Sequence, residues 1–282
     1  MPAVARLPDF LIIGAMKCGT TTLLRWLESQ PEVCTSQIAE PNFFSNDAIW
    51  ARGLEWYSSL FAAASHAQVL GEKSPAYTSP DRAPIAAERI AQVLPGIRLV
   101  FMVRHPEDRI RSQYRHLRII GRESDPLDLA VRRRASYAAR SMYYSCLAPY
   151  IELFPREQIL VVRLEDLVAS GSPGWARVLE HLGLARRPPP DRRHNASEEL
   201  GLYRLPPRVV QKSVALRRLI ARLPAPVQRI GRRIVQRRGP EFRRMLEQSR
   251  GAVPKDVLEP VWADIARLES WLGVNTPLWE RK

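Results

Sequence analysis

Long apolar runs are missing from this 282-residue chain. No stretch of about eighteen uninterrupted apolar residues occurs, so the sequence offers no membrane-spanning helix. Cysteine is scarce: Cys18, Cys34 and Cys146 are the full set. An odd number cannot all pair, and their spacing matches no metal-ligand pattern, which excludes a disulfide framework and fits a reducing compartment. The segment ahead of the first apolar strand, Met1–Asp9, is too short for a secretion signal, so a cytoplasmic protein is expected. No His/Cys/Asp cluster suggests a bound metal, and none is expected. Internal repeats are absent. Acid is the minority charge, with 29 Asp and Glu against 43 Lys and Arg and a net charge of +14. Such a balance favours an anionic partner: nucleic acid, a membrane surface or an acidic substrate.

The basic charge is concentrated. Between Tyr203 and Arg250 stand fourteen Lys/Arg residues against two acids, Glu241 and Glu247. This stretch reads as basic amphipathic helices, with Val227, Ile230 and Ile234 on one face and Arg229, Arg232, Arg233 and Arg237 largely on the other. Ahead of it, strand candidates Phe10–Gly14, Gln68–Glu72, Ile97–Arg104 and Gln158–Arg163 alternate with helical patterns at Thr21–Ser29, Ala83–Val93, Pro106–Ile119, Met142–Phe154 and Gly174–Leu182. That alternation predicts an α/β fold: a P-loop-like, doubly wound parallel sheet flanked by helices, with a basic helical C-terminal elaboration. One domain over residues 1–282 is expected, its core at about 8–183, the elaboration at about 203–250 and a last helix at 257–272. Gly273 is placed to cap that helix.

The most informative segment is Phe10-Leu-Ile-Ile-Gly14-Ala-Met-Lys17-Cys18-Gly19-Thr20-Thr21-Thr22. A strand enters a Gly-framed turn and leaves as an amphipathic helix, which aims backbone N–H groups and a positive helix end at one point. The glycines keep the spacing of an ATP- or GTP-binding loop, but Thr20 stands where that loop has its lysine. The cation is inside the turn, at Lys17. Such a cradle suggests an anionic donor other than ordinary ATP.

Three further segments join it: Ala39-Glu40-Pro-Asn-Phe43-Phe44, Glu72-Lys73-Ser-Pro-Ala-Tyr77 and Arg104-His-Pro-Glu-Asp-Arg-Ile-Arg-Ser112. Together with Ile13–Thr21 they resemble the 3′-phosphoadenosine-5′-phosphosulfate (PAPS)-dependent sulfotransferases, in particular the heparan-sulfate-type enzymes and their bacterial relatives. The resemblance covers most of Pro8–Gly183 and the last turn of the chain. It implies that Lys17, Cys18, Gly19, Thr20, Thr21 and Thr22 surround the 5′-phosphosulfate, with Lys17 stabilising charge on the departing phosphate. It implies a role for Lys73 near the sulfuryl group, and a clamp of Arg104 and Ser112 on the 3′-phosphate, a task suited to the planar fork of arginine. Glu40 is implied as general base, with His105 and His116 as rivals. His105 is expected to serve the donor site or packing, and Arg109 and Arg111 to be surface charge. Asn195 and Ser197, in His194-Asn-Ala-Ser197, resemble a donor contact of the bacterial relatives.

The expected reaction is transfer of a sulfuryl group from PAPS to a hydroxyl, or an amine, of a saccharide, glycolipid or small metabolite, leaving adenosine 3′,5′-bisphosphate. Two rivals fit less of the chain. A P-loop kinase would share the cradle but needs the lysine that Thr20 replaces. A non-catalytic basic protein would bind nucleic acid or anionic membrane through its C-terminal helices; those helices could equally bring an anionic acceptor, or a membrane surface, to the donor.

Overall fold

The computed structural model describes residues 6–65, 68–190, 202–203, 236–237 and 247–281. The chain divides into two compact units, Met1–His105 with Ala139–His194 and Pro260–Lys282, and Pro106–Ala138 with Asn195–Glu259.

The first unit opens with β1 (Phe10–Gly14), α1 (Thr20–Glu28) and β2 (Val33–Thr35). Two short helices, α2 (Asp47–Trp50) and α3 (Gly53–Ser59), precede β3 (Val69–Lys73) and a 3₁₀ turn at Pro75–Thr78. Helix α4 (Ala83–Val93) and β4 (Arg98–Val103) follow. The second unit begins with α5 (Pro106–Ile119) and α6 (Leu127–Arg133), after which α7 (Ser136–Ala139) leads back to the first. Then come α8 (Tyr143–Leu153), β5 (Ile159–Arg163), α9 (Leu164–Val168) and α10 (Pro173–Leu182). In the second unit two-residue strands β6 (Leu202–Tyr203) and β7 (Gln236–Arg237) pair antiparallel, where the helical period led us to expect helix at Arg237. Residues 204–235 and 238–246 of the expected basic stretch lie outside the described residues. The last helix, α11, is Lys255–Leu272, and Gly273 ends it at φ 69°.

Five strands form one parallel sheet in the order β2-β3-β1-β4-β5. The central strand β1 is buried at every position, as a sheet covered on both faces requires. Its Phe10 stands opposite Gly71 of β3, and a Cβ at Gly71 would fall 2.1 Å from the Phe10 ring. Sequence reasoning missed only β2 among these strands; three residues at a sheet edge carry too little periodicity to be seen. Since β3, β1 and β4 are adjacent and parallel, the segments that follow them leave the sheet along one edge. Three of the four sequence motifs start there, which is where ligands bind in open α/β sheets.

Among the described residues no helix is long and apolar enough to cross a membrane.

Candidate active site

Glycines shape the turn after β1. Gly14 sits at φ 157°, and a Cβ there would lie 2.0 Å from Thr78 Oγ1. Gly19 is the N-cap of α1 at φ 86°, which only glycine adopts at little cost. A glycine cap brings no side chain of its own to the first-turn amides, so the positive end of α1 suits an anionic group. Lys17 takes φ 71° inside the turn and is half-buried. Thr20 and Thr22 are buried in the first turn of α1, with Thr21 half-buried between them. Cys18 points inward instead. Its thiol is buried 3.5 Å from the Tyr143 hydroxyl, and its N–H donates to Ala15 O at 3.2 Å.

Tyr143 connects this turn to the end of β4. Its hydroxyl donates to Arg104 O at 2.7 Å and accepts from the Arg104 N–H at 3.3 Å. The half-buried Arg104 therefore leaves the sheet one strand away from the glycine turn. His105 serves packing: its ring lies edge-on to Trp262 and Trp279, Nε2 is 3.2 Å from Glu280 O, and its N–H donates to Glu165 at 2.9 Å. That contact makes Glu165 a structural residue. Ser112 and His116 lie on α5 in the second unit, Ser112 buried and His116 half-buried. Asn195 and Ser197 lie outside the described residues.

On the side of β1 opposite β4, Lys73 of β3 draws two of the expected residues together. Its Nζ donates to Glu40 Oε1 at 2.5 Å and to Thr21 Oγ1 at 3.1 Å. The Lys73 side chain is 5% exposed and that of Glu40 48%. A nearly buried ammonium needs such a partner, because desolvation without one costs several kcal/mol. The carboxylate, by contrast, keeps a solvent-facing side from which an acceptor can approach.

Glu40 is carried by a segment anchored through its aromatic residues. Phe43 and Phe44 are fully buried. Phe43 stacks on Tyr57 with centroids 4.3 Å apart, and Phe44 lies edge-on to Tyr77 at 5.7 Å. Trp50 and Trp56 close over Phe43 at 5.0 and 6.0 Å. Each phenylalanine contributes about 2–3 kcal/mol by burial alone, enough to pin the backbone three and four residues from the carboxylate.

Beneath this segment is a carboxylate to which sequence reasoning gave no role. Glu72 is fully buried and accepts from Tyr77 Oη at 2.5 Å, Ser74 Oγ at 2.8 Å and Tyr57 Oη at 3.1 Å. Burial pushes its carboxyl up to about 7; the three hydroxyls pull the other way, and nearby Glu40 adds to the rise. An acid directly after the apolar start of a strand, followed at short range by serine and tyrosine, was the available signal. A second expectation fails outright. Arg109 is not surface charge but fully buried, donating to Gln113 Oε1 at 2.8 Å and Tyr137 O at 2.6 Å. Its neighbours Glu107, Asp108 and Arg111 gave the helix a charged look that hid its inward face. Arg111 pairs with Glu107 at 2.8 Å and Asp108 at 3.3 Å.

A cavity of about 450 Å³ opens beside the Glu40 segment, lined among others by Asn42, Ser45, Asn46, Asp81, Arg82 and Arg140. Arg140 also reaches Met16 Sδ at 3.1 Å, next to Lys17. The lining is polar and of mixed sign. Among the described residues no group of three or more His, Cys, Asp or Glu side chains is placed to hold a metal ion.

A glycine turn that meets a helix end at the carboxyl edge of a parallel sheet places the first unit among the P-loop-like α/β folds. Residues 7–197 match the family model described as Sulfotransferase domain, and the chain belongs to that family. Heparan sulfate glucosamine 3-O-sulfotransferase 5 of Mus musculus is 32% identical over 197 residues, which is 65% of this chain and 56% of that protein. The bifunctional heparan sulfate N-deacetylase/N-sulfotransferase 2 of Homo sapiens is 29% identical over 203 residues, 64% of this chain and 22% of that protein. The match thus spans little more than half of one curated relative and less than a quarter of the other. The crystal structure of a sulfotransferase from Alicyclobacillus acidocaldarius shares the fold, with a TM-score of 0.68, 21% identity and coverage of 98% of this chain and 100% of that one.

Proposed function

We propose that this chain moves a sulfuryl group from PAPS to a hydroxyl of a saccharide acceptor. The observation that carries the reading is the Lys73 ammonium, which bonds the carboxylate of Glu40 on one side and Thr21 of the glycine-turn helix on the other. A donor cradle and a candidate base share one cation. Family membership and the polar cavity beside Asn42 support the reading, and the names of the curated relatives favour a saccharide acceptor.

The glycine turn fits a phosphosulfate in charge and form: a helix N-terminus, a lysine within the turn and small polar threonines on the first helical turn. Lys17 and Thr20–Thr22 would hold the 5′ end. Arg104 is assigned to the 3′-phosphate on its motif, which would separate this donor from ATP. In the transfer, Glu40 takes the proton of the acceptor hydroxyl as its oxygen bonds to sulfur. Lys17 meets the negative charge left on the phosphate oxygen as the sulfur–oxygen bond to it breaks. Lys73 keeps Glu40 oriented for that proton. The acceptor would enter through the cavity lined by Asn42, Ser45 and Arg140.

The test is transfer of ³⁵S from labelled PAPS to a panel of acceptors: neutral, uronic-acid-bearing and sulfated oligosaccharides, glycolipids and simple phenols. Label on a saccharide is the expected result. Transfer of ³²P from ATP with none from PAPS would instead establish a phosphotransferase.

A further inference from the structure

Three consecutive residues after Glu40 are each held by a different hydroxyl-bearing residue, and all three of those residues converge on one carboxylate. The N–H of Asn42 donates to Ser74 Oγ at 2.9 Å. The ring of Phe43 stacks on Tyr57 at 4.3 Å with 5° between the planes. The N–H of Phe44 points to Tyr77 Oη at 3.5 Å. Ser74, Tyr57 and Tyr77 in turn donate their hydroxyl protons to Glu72: Ser74 to Oε2, both tyrosines to Oε1. A hydroxyl that donates to a carboxylate becomes a better acceptor at its own oxygen, so the chains Asn42–Ser74–Glu72 and Phe44–Tyr77–Glu72 reinforce themselves.

We propose that Glu72 is a positioning residue for the transfer reaction, fixing the Glu40-bearing segment from below while Lys73 holds the Glu40 carboxylate from the reacting side. Neighbouring residues of a strand point to opposite faces, and here two adjacent ones, both buried, govern one carboxylate from two directions. A core of the same volume could be filled with apolar side chains at less cost than a buried acid. What an apolar side chain could not supply is an acceptor for three hydroxyls at once. The inference rests on the reading of Glu40 as the base.

The test is Glu72→Gln, which keeps the shape but turns one acceptor oxygen into an N–H₂ donor that cannot receive a hydroxyl proton. The expected protein melts cooperatively and binds adenosine 3′,5′-bisphosphate within about twofold of wild type, yet its kcat falls about 10- to 100-fold, the range for a displaced catalytic group. The amides of Asn42 and Phe44 exchange hydrogen at least about tenfold faster, while those of β1 are unchanged. In a Glu40→Gln background the further change Glu72→Gln costs little or nothing in kcat, because residues acting through one another do not add. Ser74→Ala, which removes a single hydroxyl, repeats the pattern at smaller size and decides the matter if Glu72→Gln does not fold. Unchanged exchange at Asn42 in a folded variant, or rate losses that multiply with Glu40→Gln, overturns the proposal. Failure of wild type to transfer any sulfuryl group would refute the function while the exchange result still reports on the clamp.

Discussion

The two sides of the proposed reaction centre are built from different materials. The donor side, Gly14–Thr22, is made of backbone: a strand end, two glycines at positive φ and the start of a helix. The acceptor side, Glu40–Phe44, has almost no secondary structure and is held by side chains, through Lys73, Ser74, Tyr57 and Tyr77. A backbone cradle tolerates changes in most of its side chains but not in its glycines. A side-chain cradle fails when any one support is removed. Binding of the nucleotide and orientation of the base should therefore be separable by mutation.

The sharpest way to break the comparison is to strike each side once. Lys17→Ala and Glu40→Gln should each lower kcat by about 10²–10³-fold; Glu40→Gln should leave adenosine 3′,5′-bisphosphate affinity intact and Lys17→Ala should weaken it. Steady-state rates with calorimetry check both. Normal transfer by Glu40→Gln would remove that residue from the mechanism.

Next in size is stability. Phe44→Ala should cost about 3–5 kcal/mol, as for a large buried aromatic, whereas Thr21→Ser at the half-buried edge of the donor side should cost less than about 1 kcal/mol. Urea titration with a common slope separates them. Equal losses would mean that the acceptor segment is not the more side-chain-dependent half.

Arginine comes third. Arg104→Ala should weaken adenosine 3′,5′-bisphosphate about 10- to 100-fold and adenosine 5′-monophosphate hardly at all, the difference expected for a charge-assisted contact to the extra phosphate. Similar losses for both ligands would take the 3′-phosphate away from Arg104.

The smallest effect concerns pH. The carboxyl of Glu72 is raised from 4.5 to about 7 by burial, so between those values the folded chain holds a proton that the unfolded chain has released. Its contribution is fully present below pH 4.5 and is lost as pH rises through 7. Stability should fall across that window and level off above it, and Glu72→Gln should flatten the slope. A wild-type curve without that fall would show that folding leaves the Glu72 carboxyl unshifted.

The same contrast explains what could be read from the chain. The donor side was legible because its conformation is written in residue types: Gly14, Lys17 and Gly19 at fixed spacing, after an apolar strand. Strands β1, β3, β4 and β5 and the longer helices followed from short apolar runs alternating with helical periods, to within a residue or two at their ends. On the acceptor side the motifs around Glu40 and Lys73 could be seen, but not what joins them. The Glu72 clamp escaped because it joins residues 42, 57, 72, 74 and 77, whose relation appears only once β3 and its turn are folded. Arg109 misled for a related reason: a charge on a helix looks exposed until the helix is packed.

Titration of adenosine 3′,5′-bisphosphate into the purified protein tests the central claim most directly, since it needs no knowledge of the acceptor. Saturable binding with a Kd of roughly 1–100 μM is predicted, equivalent to about 5–8 kcal/mol, and at least about tenfold tighter than adenosine 5′-monophosphate. No binding, or equal affinity for the two nucleotides, would contradict it.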